Sequence, residues 1–289
     1  MPTPLSFNQV TFRYHRKSVL DGFSLDLRAG EVTLLAAPNG AGKTTALWLA
    51  AGLLQSASGD VRVLDRDPYR ERKVLGQVGF VAEGAPLPPA WRGHEVLGFQ
   101  RDTFPNWDTA EAERLTGIFA LDLDARVGTL SRGQRGKLAL LAVLATRPEV
   151  LLLDEATLGL DVASRRRIAS EVLGKVAEGG TTVLLAGHEI AEAESAADRL
   201  VVLDKGRASC DEPVADLLAR HRIVAWDDSL LPPPDKLQVL PLPSSIGSRA
   251  LALAWDEELA RPWLASGGEV MRADLETVFL ALTGDLGLA

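Results

Sequence analysis

The apolar run Val32–Ala36 and the turn that follows it, Ala37-Pro38-Asn39-Gly40-Ala41-Gly42-Lys43-Thr44, constrain this 289-residue chain more than any other stretch. The run has the composition of a buried strand, and Thr44–Ala51 that of a buried helix. A strand, a glycine loop and a helix in immediate succession form a phosphate loop. Gly40 and Gly42 let backbone amides wrap round phosphates, Lys43 brings a charge to the β- and γ-phosphates, and the Thr44 hydroxyl is suited to Mg²⁺. The helix starting near Lys43 adds its N-terminal donors. The loop departs from the pattern only at Ala37, which stands in place of glycine. A Cβ there is harmless if the backbone angle is ordinary and strained if φ is positive.

A second apolar run ends in two acids, Leu151-Leu152-Leu153-Asp154-Glu155. Val150–Leu153 is short and wholly apolar, as a parallel strand covered on both faces should be. Ligands of open α/β sheets gather at the carboxyl ends of strands, which puts Asp154 beside the phosphate loop, where it would hold Mg²⁺ directly or through water. Glu155 would then polarise the water that attacks a γ-phosphate.

Further along, Arg165–Val176 reads as helix, Thr181–Ala186 as strand, Ile190–Ala197 as helix and Leu200–Leu203 as strand. This alternation predicts an α/β fold, a P-loop NTPase core of mostly parallel strands. The alternating apolar residues from Leu5 to Leu27 predict an antiparallel β subdomain. Residues 94–103 and 108–120 predict short helices, and Leu138–Ala145 lies in a longer helix that ends near Arg147-Pro148. Together these form a helical insertion spanning about residues 84–148.

Composition narrows the function class. Cys210 is the only cysteine, so a disulfide framework is excluded. The longest apolar stretches are too short to cross a bilayer, and the start MPTPLSFNQV lacks a signal-peptide pattern. A net charge of −8 argues against a general nucleic-acid binder. Residues 221–289 carry five Lys/Arg against ten Asp/Glu, leaving 26 against 29 in the first 220. This acidic, proline-interrupted end also holds Trp226, Trp255 and Trp263. It predicts a small accessory lobe over residues 220–289 after an ATPase domain over 1–215.

Between the loop and the acids stands Leu130-Ser131-Arg132-Gly133-Gln134, which resembles LSGGQ, the signature of the ATP-binding subunits of ABC transporters. The resemblance covers residues 5–210 almost completely. It implies that Asn39, Gly40, Ala41, Gly42, Lys43, Thr44 and Thr45 hold ATP in one copy, while Ser131, Gly133 and Gln134 of a second copy cap it. Two ATP·Mg²⁺ would be sandwiched in a head-to-tail homodimer. Arg132 replaces the usual glycine and brings a positive charge near the opposed phosphates. Tyr14 is placed like the aromatic that stacks on adenine, and also like a core strand residue. Glu83 stands where the family has a glutamine that senses Mg²⁺ and the attacking water; an ionised glutamate accepts but cannot donate. Thr44, Glu83 and Asp154 are thus the implied metal residues, and Glu155 and His188 the catalytic ones. Gly159-Leu160-Asp161 resembles the loop that links the two sites.

The resemblance further implies a peripheral subunit on the cytoplasmic face of the membrane. There it drives a separately encoded permease, as in drug, lipid or peptide exporters. Trp91, His94, Phe99 and the surroundings of Trp107 are candidates for meeting that permease, with core packing as an equal competitor. Two other functions fit the motifs: a soluble ABC ATPase acting on ribosomes or DNA, and a weakly hydrolysing regulatory clamp.

Overall fold

The computed structural model describes residues 3–155, 179–187, 190–227, 232–242 and 248–284. Two ten-residue strands open the chain, β1 (Leu5–Tyr14) and β2 (Lys17–Asp26). After them come β3 (Val32–Ala36), helix α1 (Lys43–Ala50) and β4 (Ser58–Val63). β1 pairs antiparallel with both β2 and β4, giving a three-stranded sheet in the order β2-β1-β4. Next are β5 (Val78–Val81) and three helices, α2 (Gly93–Thr103), α3 (Thr109–Phe119) and α4 (Arg132–Leu144). Then β6 (Val150–Asp154), β7 (Thr182–Gly187), β8 (Arg199–Asp204) and β9 (Arg207–Pro213) follow.

The central sheet has the order β5-β6-β7-β3-β8-β9, parallel throughout except for the edge pair β8 and β9. Its inner strands are apolar on both faces, and alternate residues feed two cores. Leu151 and Leu153 of β6 join the core under α2, α3 and α4, whereas Val150 and Leu152 join the core that α1, β1 and β2 complete. β3 divides likewise, with Leu34 and Ala36 on one side and Leu35 on the other. Burial on both faces is what a parallel sheet demands, and it explains why these strands read as continuous apolar runs.

Helix boundaries follow local chemistry. Asp108 caps α3 by accepting from the Glu111 N–H at 2.9 Å, and α3 ends where Ala120 turns left-handed at φ 50°. The helix expected over 190–197 stops at Ala193. Beyond it the chain is drawn into the sheet: Asp198 donates its N–H to Val32 O, and its carboxylate accepts from Val32 N, both at 2.9 Å. The helix expected over 165–176 lies outside the described residues.

The remaining strands are β10 (Arg222–Trp226), β11 (Val239–Leu242), β12 (Ser248–Ala252) and β13 (Glu269–Arg272), an antiparallel sheet in the order β11-β12-β10-β13. Val224, Leu237, Ala250, Ala252, Ala260 and Trp263 form a small core on it, and Trp226 meets Trp263 edge to face at 6.3 Å. The last helix, Leu275–Thr283, does not join that small core. It buries Leu275, Val278 and Phe279 in the large one, and Glu194 accepts the Leu275 N–H at 2.8 Å.

Candidate active site

The parallel strands all end on one edge of the sheet, and the residues expected to carry the chemistry follow β3 and β6 there. Ala36, the last residue of β3, lies opposite Gly187, while Asp154 of β6 lies opposite Ala186. The phosphate loop leaves β3 and runs into α1. Gly40 and Gly42 have φ of 77° and 114°, in the left-handed region that glycine enters without penalty. A Cβ on Gly42 would lie 2.9 Å from Val19 Cγ1, so the loop is also pressed against β2. Around Gly40 nothing lies within 4 Å of such an atom, and the turn is open on that side. Ala37 is buried and has no positive φ, so the departure from glycine carries no backbone strain. Its carbonyl accepts from Lys43 Nζ at 2.7 Å.

Lys43 is 7% exposed, and burial pulls its ammonium pKa down while Glu155 and Asp154 push it back up. Asp154 is 1% exposed. Burial raises its pKa; the Thr44 hydrogen bond opposes this, and the charges of Glu155 and Glu83 add to it. The Thr44 hydroxyl donates to Asp154 Oδ1 at 3.2 Å. A hydroxyl and a buried carboxylate in contact, next to a loop built for phosphates, are the hard oxygen donors that Mg²⁺ takes alongside phosphate oxygens. The residues fit the metal.

Glu155 follows directly. Its N–H donates to Ala186 O at 2.9 Å, which pins it to the mouth of β6, and its φ is 47°. A left-handed glutamate is uncommon and costs free energy that the surrounding sheet must supply. Nothing local to Asp154-Glu155 in the sequence demands this strain, and so no signal there could have revealed it.

Other expected residues are distributed as follows. Thr45 is buried in α1, Asn39 is exposed on the loop, and Ala41 is half-buried against the core that α1 completes. Glu83 lies two residues beyond Val81, which is opposite Leu153, so it reaches the same edge as Asp154. Ser131 caps α4: its Oγ accepts from Gln134 N at 3.1 Å, and Gln134 Oε1 accepts from Ser131 N at 2.9 Å. This capping box leaves the Ser131 hydroxyl proton free to be donated but commits the Gln134 side-chain oxygen to the loop. Gly133 is buried in the first turn of α4. Ser131, Gly133 and Gln134 make no hydrogen bond or ion pair with residues 37–45 among the described residues. Tyr14 ends β1, 39% exposed, with its ring edge to face with Phe12 at 4.9 Å. His188 and Gly159-Leu160-Asp161 lie outside the described residues.

A groove between α2 and α3 is lined by His94, Leu97, Gly98, Arg101, Trp107 and Thr109 among others, with a volume of 360 Å³. Beside it Phe99 is 54% exposed and stacks edge to face on Trp91 at 5.6 Å. Trp91 and Trp107 are half-buried and pack against the large core, while His94 and Phe99 stay open. Among the described residues no helix is long and apolar enough to cross a membrane.

Comparison with known proteins agrees with this geometry. Residues 20–158 match the ABC transporter family. A Nod factor export ATP-binding protein of Burkholderia lata is 32% identical over 306 residues, covering 97% of both chains. The daunorubicin resistance ATP-binding protein of Streptomyces coeruleorubidus is 37% identical over 69% of this chain and 64% of its own length. A hemin import ATP-binding protein of Rhodococcus jostii is 36% identical over 71% of this chain and 73% of its own. Among solved structures, an ATP-binding subunit of an ABC transporter superposes on 97% of this chain with a TM-score of 0.72 at 21% identity. A dimeric ATP-binding cassette bound to ADP and Pi superposes on 73% with a TM-score of 0.64 at 23% identity. With a glycine-rich loop, hydrogen-bonded Thr44 and Asp154, and Glu155 on one sheet edge, the chain belongs to the ABC transporter family, as one of its ATP-binding, ATP-hydrolysing subunits.

Proposed function

We propose that two copies of this chain close head to tail over two ATP·Mg²⁺ and drive a separate membrane permease in export, the direction named for the Nod factor relatives. The observation that carries this reading is the division of the site. Lys43, Thr44, Asp154 and Glu155 converge within one chain, whereas Ser131 at the start of α4 makes no hydrogen bond to residues 37–45 among the described residues and keeps its hydroxyl proton and helix N-terminus to offer. A phosphate held by residues 39–45 of one copy and met by Ser131 and Gly133 of the other would use both halves.

In this reading Lys43 neutralises the β- and γ-phosphates, and the Thr44 and Asp154 oxygens hold Mg²⁺, which offsets the charge developing on the transferred phosphoryl group. Glu155 accepts a proton from the attacking water, Glu83 joins Thr44 and Asp154 at the metal, and His188 contacts the γ-phosphate. Tyr14 stacks on the adenine. The groove between α2 and α3, with Phe99 beside it, receives the permease on the cytoplasmic face of the membrane. Residues 1–215 form the ATPase domain and 220–289 the accessory one, whose helix Leu275–Thr283 packs back into the core of the first.

The test is Glu155→Gln. This variant should bind ATP, elute as a stable dimer when ATP and Mg²⁺ are present, and hydrolyse roughly a hundredfold more slowly or worse, the scale of a lost general base. Lys43→Ala should instead lose nucleotide affinity in a titration. Steady-state hydrolysis by Glu155→Gln at the parent rate would sink the general-base role.

A further inference from the structure

One ion pair joins the two halves of the site within a single chain. Arg132 Nη2 lies 3.6 Å from Glu83 Oε1, with the side chains 49% and 56% exposed. Arg132 is the first residue of α4, next to the cap Ser131. Glu83 follows β5 and stands close enough to Asp154 for its charge to act on that carboxyl. Two charge problems meet at this pair. The first turn of α4 holds no acidic residue, although its first six positions carry Arg132, Arg135 and Lys137. Cations at a helix N-terminus oppose the macrodipole. On the other side, Glu83 and Glu155 add their charges to that of Asp154, with Lys43 as the buried cation among them. Such a surplus of carboxylates is a poor reception for the dianion ATP·Mg²⁺. Each side carries the charge that the other lacks.

We propose that Arg132 is a positioning residue for the nucleotide site of its own chain: its guanidinium holds the Glu83 carboxylate and offsets its charge, so that the site admits ATP·Mg²⁺. The inference rests on the reading of residues 39–45, Asp154 and Glu155 as the nucleotide site. It adds that the signature helix tunes this site in cis, besides offering Ser131 to a second copy. Glu83 in turn supplies, from another element, the negative charge that the start of α4 wants.

A mutant cycle tests it on the full chain. Hydrolysis is followed against ATP·Mg²⁺ concentration at low salt for Arg132→Gln, Glu83→Gln, the double variant and Arg132→Lys. Arg132→Gln should raise KM about two- to fivefold, the range for a half-exposed pair, with kcat changed much less. The rise should shrink in roughly 0.5 M NaCl, because screening acts on this contact, and Arg132→Lys should largely restore KM. In the Glu83→Gln background no carboxylate tethers the guanidinium, and Arg132→Gln should move KM by less than about 1.5-fold. An equal KM rise in both backgrounds would overturn the proposal. The same cycle is read by thermal unfolding without nucleotide, where the pair should give non-additive shifts in Tm; additive shifts would also overturn it. If the parent protein neither bound nor hydrolysed ATP, the nucleotide site would be misread, and the unfolding cycle would still decide the pair.

Discussion

At the scale of single residues, the candidate site is legible wherever the place of a residue on the sheet edge is fixed by its neighbours in sequence. Lys43 and Thr44 follow a glycine turn, and Asp154 ends an apolar run, so their positions could be read from spacing alone. Two properties could not. The left-handed φ of Glu155 depends on its N–H reaching Ala186 on a neighbouring strand. The Arg132–Glu83 pair joins residues far apart in sequence through the fold. His221 is a third case, unremarkable in sequence yet 3% exposed at the end of helix Val214–Arg220. Its Nδ1–H donates to Leu217 O at 2.7 Å. Burial holds its pKa below the ordinary 6.5; Arg220 lowers it further, and the Leu217 bond and Glu212 oppose this. The unfolded chain therefore takes up a proton here before the folded one does, and stability is lost as pH falls through about 6.5. Urea unfolding at a pH well above and a pH well below that value should show this loss, and His221→Gln should make the pH dependence shallower.

Among elements, strands were easier to foresee than helix ends. A strand buried on both faces announces itself as a nearly continuous apolar run, as β3 does around Thr33 and β6 does up to Asp154. Helix ends are set by side-chain bonds to distant backbone, such as Asp198 to Val32, and periodicity carries no record of these. The start of α4 is an exception, because a capping box is local. Ser131→Ala removes one member and should cost about 1 kcal/mol in thermal or urea unfolding, whereas Ser131→Asn, which can still accept from the Gln134 N–H, should lose only a few tenths. A smaller stability loss paired with a large loss of hydrolysis in Ser131→Asn would separate the capping role from the proposed contact with the partner copy's nucleotide.

For the whole molecule, the change in charge and texture after about residue 220 marked where a new sheet begins. It did not reveal that the chain returns. Leu251, Ala273, Leu275, Val278 and Phe279 lie in the same core as Leu34 of β3 and Leu138 of α4. Polar content and proline spacing describe the excursion through β10–β13, but the return is written only in the apolar face of the last helix, Leu275, Val278 and Phe279. Phe279→Ala should therefore destabilise the ATPase core by about 3 kcal/mol, seen as a lower urea midpoint for the entire chain and a lower unfolding temperature with ATP·Mg²⁺ present.

That return also sets a timetable for synthesis. The apolar side of helix Val214–Arg220 waits for a helix about sixty residues further along, and at roughly 5–20 residues per second a ribosome needs on the order of ten seconds to deliver it. During that interval the nascent ATPase lobe displays an open apolar face to solvent. A slow stretch of translation between β10 and β13 would lengthen the exposure, so codon choice there should govern the soluble yield more strongly than the same change near the beginning of the message.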